Sequence, residues 1–186
     1  MEVIAADLIF TVPNHIPTSL CNDIMLRFER DPRKTKGLVN NKIDETFKSN
    51  IELLISSLAE WKDVDALLFD SLQSGYIKYM DHISKINKKT PIFANVKDKG
   101  YVIEKYPAYT GFHKCHTDFG IYVDDPTNIE SRIIGFKWCL TNSILGAKGS
   151  LLFYPTIWPL VYEIQQNEND EYYVTGFMVM SANQSK

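Results

Sequence analysis

The sequence predicts an α+β domain, with helices in the first half of the chain and antiparallel strands in the second. Three observations predict it. Between Asp63 and Ile86, the apolar residues Val64, Leu67, Leu68, Leu72, Tyr76, Tyr79 and Ile83 form one helical stripe. After Tyr101 the texture changes to short period-two, β-branched runs separated by turn residues. Aromatic residues are 12% of the chain, with ten Tyr and ten Phe, which favours substantial sheet.

The elements follow in order. Asp7 to Val12 alternates and carries Ile9, Phe10 and Val12, so it reads as a strand. Pro13 and Pro17 break the chain. Thr18 or Ser19 is expected to cap a helix through Leu20, Ile24, Met25 and Phe28, and Asp31-Pro32 ends it. Residues 32–50 are polar, with Gly37 and Asn40-Asn41, and read as an extended loop. The long helix over Asp63–Ile86 is closed by Lys88-Lys89-Thr90-Pro91. Strands are then expected over Tyr101–Tyr106, Gly111–Asp118, Arg132–Leu140, Ser150–Tyr154, Leu160–Gln165 and Glu171–Met180. No repeat, linker or low-complexity tract interrupts the 186 residues. They read as one domain, with 1–100 mostly helical support and 101–186 supplying the strands. A chain of this length buries about 68–70% of its unfolded surface.

Composition excludes several classes of function. The net charge is −3, and the basic clusters, Arg33, Lys34, Lys36 and Lys88, Lys89, are short. They read as solvated loop charge, so nucleic acid is not an expected partner. No apolar run approaches the ~20 residues of a membrane span, and the start lacks the pattern of a secretory signal. Cys21, Cys115 and Cys139 read as free thiols in a reducing compartment, which points to a soluble cytoplasmic protein.

The stretch that carries chemistry is Thr110-Gly111-Phe112-His113-Lys114-Cys115-His116-Thr117-Asp118. Residues two apart on a strand share a face, so His116 and Asp118 are expected side by side. An imidazole and a carboxylate so placed are two ligands of a 2-His-1-carboxylate metal site, which leaves positions open for an oxidant and a cosubstrate. On a regular strand His113 and Cys115 point away from His116, and Cys115 reads as core. Gly146 and Gly149 are too sparse for a phosphate cradle. Cys115–His116 and Lys48–Ser49 are adjacent pairs whose side chains diverge, so neither forms a nucleophile and base. His15 falls in a turn beside Pro17. His82, near a helix end, is explained by the helix dipole.

Laid end to end, these segments resemble the Fe(II)/2-oxoglutarate-dependent dioxygenases, in particular the small prolyl-hydroxylase-like proteins of viruses and bacteria. The resemblance covers most of the chain. It runs from Ile16-Pro17-Thr18-Ser19-Leu20-Cys21 through Gly37, Phe47-Lys48-Ser49, Trp61, Asp65 and the long helix to Tyr106. It continues through Gly111-Phe112, His116-Thr117-Asp118 and Arg132 to Asn142. Gly149-Ser150-Leu151-Leu152-Phe153-Tyr154-Pro155 with Trp158, and Tyr172-Tyr173-Val174-Thr175-Gly176-Phe177, complete it. It implies a double-stranded β-helix, a jelly-roll barrel buttressed by the N-terminal helices. It implies Fe(II) held by His116 and Asp118, 2-oxoglutarate as cosubstrate, and hydroxylation of a peptidyl or small-molecule C–H bond. Tyr106 matches a barrel tyrosine that bonds the cosubstrate; a plain core tyrosine is the other reading.

The same resemblance exposes departures. The family's third ligand, a histidine, falls here on Leu160 or on Tyr162, and no histidine follows His116. Glu163, Tyr162 or His113 would have to replace it. The cationic residue that anchors the cosubstrate's far carboxylate matches Glu171, which repels a carboxylate. Lys137, mid-strand, can substitute if it points inward, and is otherwise an exposed strand lysine. Only Ser143–Lys148 joins Asn142 to Gly149, where the family has a further hairpin, so the barrel is expected to be shortened. Two functions stand side by side: a divergent, weakly active or degenerate dioxygenase, or a non-catalytic scaffold in a larger assembly such as a virus particle. The first implies a small-molecule cosubstrate. The second implies a protein partner or self-association, in the cytoplasm, or in the virion if the chain is viral.

Overall fold

The structure, a computed structural model, describes residues 5–86, 96–125, 128–157 and 160–181. The Lys88–Pro91 helix stop and Trp158 lie outside the described residues. After a 3-10 turn at Ala5–Leu8 come β1 (Phe10–Val12), α1 (Thr18–Arg30), β2 (Thr35–Lys36), β3 (Lys48–Ser49) and β4 (Ile51–Leu54). Next are α2 (Lys62–Ile86), β5 (Val96–Asp98), β6 (Val102–Tyr106), β7 (Phe112–His116) and β8 (Ile121–Asp125). The chain ends with β9 (Asn128–Cys139), β10 (Leu151–Pro155), β11 (Tyr162–Ile164) and β12 (Glu171–Ser181).

The strands form two antiparallel sheets. The large one runs β1-β10-β9-β12-β6-β4-β2, with β5 on β12 and β8 on β9, and the small one runs β11-β7-β3. No ladder closes the two into a continuous barrel among the described residues; they meet through side chains. The connection at residues 143–148 is a tight turn, in which Ser143 and Gly146 exchange backbone hydrogen bonds.

The pleat sorts the large sheet into two faces. Register places Phe136 opposite Phe153 and Gly176, Trp138 opposite Leu151 and Val174, and Ile103 opposite Leu53 and Val174. These side chains pack with Cys21, Ile24 and Phe28 of α1, and with Val64, Leu68, Leu72 and Tyr79 of α2, to form the main core. The helices therefore cover one face mainly with apolar residues. The other face presents Lys137, Tyr154, Tyr173, Thr175, Glu104 and Tyr106 towards the small sheet, and most of these are buried. Charge is concentrated in the interior between the sheets.

Several expectations are corrected. Pro17, not Thr18 or Ser19, is the N-cap of α1 and offers no side-chain bond. Its carbonyl accepts the N–H groups of Leu20 and Cys21 at 3.0 and 3.2 Å. The strand expected from Asp7 begins at Phe10, because a 3-10 turn takes up Ala5–Leu8. The loop at 32–50 contains β2 and β3, strands of two residues each, too short to show a period. The first hundred residues also supply β4, which pairs with β6. His82 Nε2 bonds the Asp7 carbonyl at 2.8 Å and its ring stacks on Phe10, so a side-chain contact holds it.

Candidate functional site

β7 carries the site, and its irregularity shapes it. Tyr162 pairs with His116, and Ile164 with His113, so three residues of β11 span four of β7. That extra residue is a bulge, which rotates the side chains that follow it. His113 is thereby brought to the same side as His116, and the two imidazoles stack at 3.5 Å and 19°. This corrects the expectation that they point apart. Cys115 is exposed rather than core, because the outer face of the small sheet has no helix over it. Burial pushes the His113 pKa down to about 3, helped by neighbouring His116 and Lys48.

His116 Nδ1 donates to the Lys114 carbonyl at 2.7 Å. A carbonyl only accepts, so Nδ1 carries a proton. Nε2 is buried, has no hydrogen-bond partner, and stands 3.6 Å from Asp118 Oδ1. The other Asp118 oxygen, Oδ2, accepts two hydroxyls, from Tyr162 at 2.6 Å and Tyr154 at 2.7 Å. Burial alone would raise the Asp118 pKa. The neighbouring His116, the Lys137 charge and the two tyrosine donors outweigh burial and hold it well below the usual carboxylate range. Burial and the Asp118 charge push the pKa of Tyr154 and Tyr162 far up, and Tyr154 adds to the rise of Tyr162. Both therefore remain protonated donors.

His116 and Asp118 line a cavity of about 470 Å³, shared with Glu104, Lys137, Arg132 and Thr175. Lys137 points inward and is only 3% exposed. Its Nζ donates to Glu104 Oε2 at 2.9 Å. Lys48, from β3, donates to Glu104 Oε1 at the same distance, and also pairs with Glu52. Tyr106 is buried with its hydroxyl 3.4 Å from the same Oε1. Burial opposes ionisation of Glu104, but the Lys137 and Lys48 charges hold its pKa far below normal, while Glu104 and Glu52 lift that of Lys48. Tyr106 and Lys137 thus converge, and what they meet is a carboxylate of the chain itself. Sequence reading passed over Glu104 and set Lys48 aside with Ser49 as a diverging pair. One signal for Glu104 was present: it lies two residues before Tyr106 on one strand, and so shares its face.

The remaining candidates lie elsewhere. Glu171 is buried, but it accepts from Asn167 and Tyr173, both at 2.8 Å, and does not line this cavity. Glu163 is exposed and bonds Gln165. Leu160 lines an adjoining, mostly apolar recess that shares Lys137 and Tyr162 with this cavity. Of the two positions matched to the third ligand, Tyr162 alone reaches Asp118.

No family model and no curated protein matches the sequence. Solved structures do match. A Pseudomonas putida prolyl-4-hydroxylase superposes with a TM-score of 0.63 at 13% identity, over 95% of this chain and 97% of that one. A prolyl hydroxylase from Trichoplax adhaerens, solved with a hypoxia-inducible-factor peptide, gives 0.69 at 12%, over 92% and 83%. A 2OG-Fe(II) oxygenase family member from Burkholderia pseudomallei gives 0.56 at 12%, over 100% and 96%. The fold is that of the 2-oxoglutarate/Fe(II) oxygenases. Within that class the similarity reaches prolyl hydroxylases, and at these identities it is a similarity of fold.

That class implies Fe(II) and 2-oxoglutarate, so the residues can be tested against both. For the metal the fit is partial. An imidazole fixed through Nδ1 on a backbone carbonyl, with a bare buried Nε2 facing a carboxylate, is how a ligating histidine is held. Among the described residues no group of three His, Cys, Asp or Glu is placed to hold an ion, and the third position belongs to a protonated phenol. For the cosubstrate the fit is also partial. Lys137, the cation expected to take its far carboxylate, is bonded to Glu104, while Arg132, which lines the same cavity, has its Nε on the Tyr122 hydroxyl.

Proposed function

We propose that this chain is a degenerate dioxygenase: a barrel that keeps the His116–Asp118 pair but acts by binding, as a scaffold or assembly component, and not by hydroxylating a C–H bond. One observation carries the reading. Asp118 Oδ2 is occupied by the hydroxyls of Tyr154 and Tyr162, and Tyr162 stands opposite His116 where a third ligand is needed. An ion entering between His116 and Asp118 gains two protein ligands instead of three. The tyrosines lock the carboxylate's orientation without a metal. Lys137 and Lys48 are neutralised by Glu104 and Glu52, so neither is free to draw in a dicarboxylate, and Arg132, which also lines the cavity, bonds the Tyr122 hydroxyl.

The partnerless His116 Nε2 favours a second reading, a weakly active dioxygenase that takes Fe(II) on His116 and Asp118 alone. When bound, Fe(II) with 2-oxoglutarate would supply the family's oxidising power. The chain's part would be to orient His116 through Lys114, keep Asp118 ionised, and exclude water. Anaerobic titration with Fe(II) and 2-oxoglutarate separates the two. Degeneracy predicts no visible charge-transfer band and no succinate formed on admitting oxygen. A band and succinate that disappear in His116→Ala would overturn it.

A further inference from the structure

The group of side chains around Glu104 has the form of a ligand site. Four donors from four places in the chain converge on one carboxylate: Lys48 and Lys137, each 2.9 Å from its own oxygen, the Asn50 amide at 3.5 Å and the Tyr106 hydroxyl at 3.4 Å. Two ammonium groups on the two oxygens give two-point recognition of a planar anion. The group borders the 470 Å³ cavity that holds His116 and Asp118, so a small molecule entering there would meet it.

We propose that Lys48, Lys137, Asn50 and Tyr106 form a carboxylate-recognition site that the chain keeps filled with its own Glu104, excluding dicarboxylates such as 2-oxoglutarate and succinate from the interior. The inference deepens the degenerate reading, since it names what blocks the cosubstrate. It involves no metal. Glu104 is tethered on β6 between Ile103 and Lys105, so its carboxylate competes at a high effective concentration that a free acid must overcome. Removing it leaves Lys137 buried without its ion-pair partner. A buried unpaired cation demands an anion. The vacated space and the unpaired charge together would accept the end of a short acid.

The test uses full-length protein with chelator present. Glu104→Ala should melt below wild type. Succinate and 2-oxoglutarate should then raise its Tm by roughly 2–4 °C at about five times Kd. Wild type and the double variant Glu104→Ala, Lys137→Met should not respond. A folded Glu104→Ala that ignores both acids overturns the proposal, as does a wild type that responds equally, or phosphate acting as well as succinate. If Glu104→Ala does not fold alone, it is refolded in acetate or succinate against chloride at equal ionic strength. Recovery with carboxylate alone supports the site, and equal failure overturns it. The charge-transfer titration uses wild type with Fe(II), so either experiment can fail without the other.

Discussion

Tyr162→His is the sharpest perturbation of this site. The Tyr162 hydroxyl sits 2.6 Å from Asp118 Oδ2, and its ring lies 4.5 Å from that of His116. An imidazole is shorter than a phenol, so the substitution withdraws the donor from Asp118. It places a nitrogen opposite His116 on the neighbouring strand. The gap opened between the new ring, His116 Nε2 and Asp118 suits an ion about 2.0–2.2 Å from each ligand. The variant would hold two histidines and one carboxylate, the set that suits Fe(II).

The magnitudes run in opposite directions. Without metal, the variant loses a hydrogen bond to a buried charge, about 1.5–3 kcal/mol. For a chain of this size that is a Tm lower by roughly 3–12 °C. With metal at a hundred times Kd, binding to the folded state returns about 2.7 kcal/mol and offsets most of the loss. The assay is thermal unfolding with and without Co(II), alongside Co(II) absorption spectra of wild type and variant. The expected result is a metal-free variant less stable than wild type, and a metal-loaded one close to it. A variant that folds but binds Co(II) no more tightly than wild type would refute the placement of Tyr162 at the third-ligand position. A metal-free variant as stable as wild type would refute the argument that its hydroxyl clamps Asp118.

Other outcomes are expected from the same geometry. A Cβ at Gly135 would lie 2.4–2.7 Å from the Tyr154 ring. Gly135→Ala should therefore displace that phenol from Asp118 and lower Tm more than Tyr154→Phe does, and equal losses would count against it. The folded protein should show one fast thiol, Cys115, and two that react with an aromatic disulfide reagent only on unfolding, Cys21 and Cys139. Two fast thiols would contradict the packing. Glu104 has a depressed pKa, so the stability it contributes is present in full above the unfolded glutamate value of about 4.3, declines as pH falls below that value, and is lost only as pH falls through the far lower folded-state value. The Tm gap between wild type and Glu104→Gln should accordingly be wide at pH 7 and narrower at pH 3, whereas a pH-independent gap would show that charge is not what Glu104 supplies.

Legibility in the sequence followed the physical origin of each feature. The long helix was readable because seven apolar residues repeat its period, and all but Leu67, which is exposed, face the core. The later strands were readable because their alternation records one apolar face against helices and one polar face inward. β2 and β3 were not, since strands of two residues carry no period and exist through their partners. His116 and Asp118 were visible as a pair through their two-residue spacing, although the strand ends at His116 and Asp118 lies just beyond it. The position of His113 was not, because a bulge breaks the strand's alternation and leaves no local mark in Phe112–His116. Glu104 shows the deeper limit. A glutamate within Val102–Tyr106 reads as a strand's solvent-facing residue, and its charge becomes tolerable in the interior only because Lys48 and Lys137 arrive there from β3 and β9. Each of the three, taken alone, obeys the ordinary expectation that charge is exposed; the rule fails for all three together, since each makes burial of the others affordable. A triad of that kind is a property of topology, and no window of sequence shorter than Lys48 to Lys137 contains it.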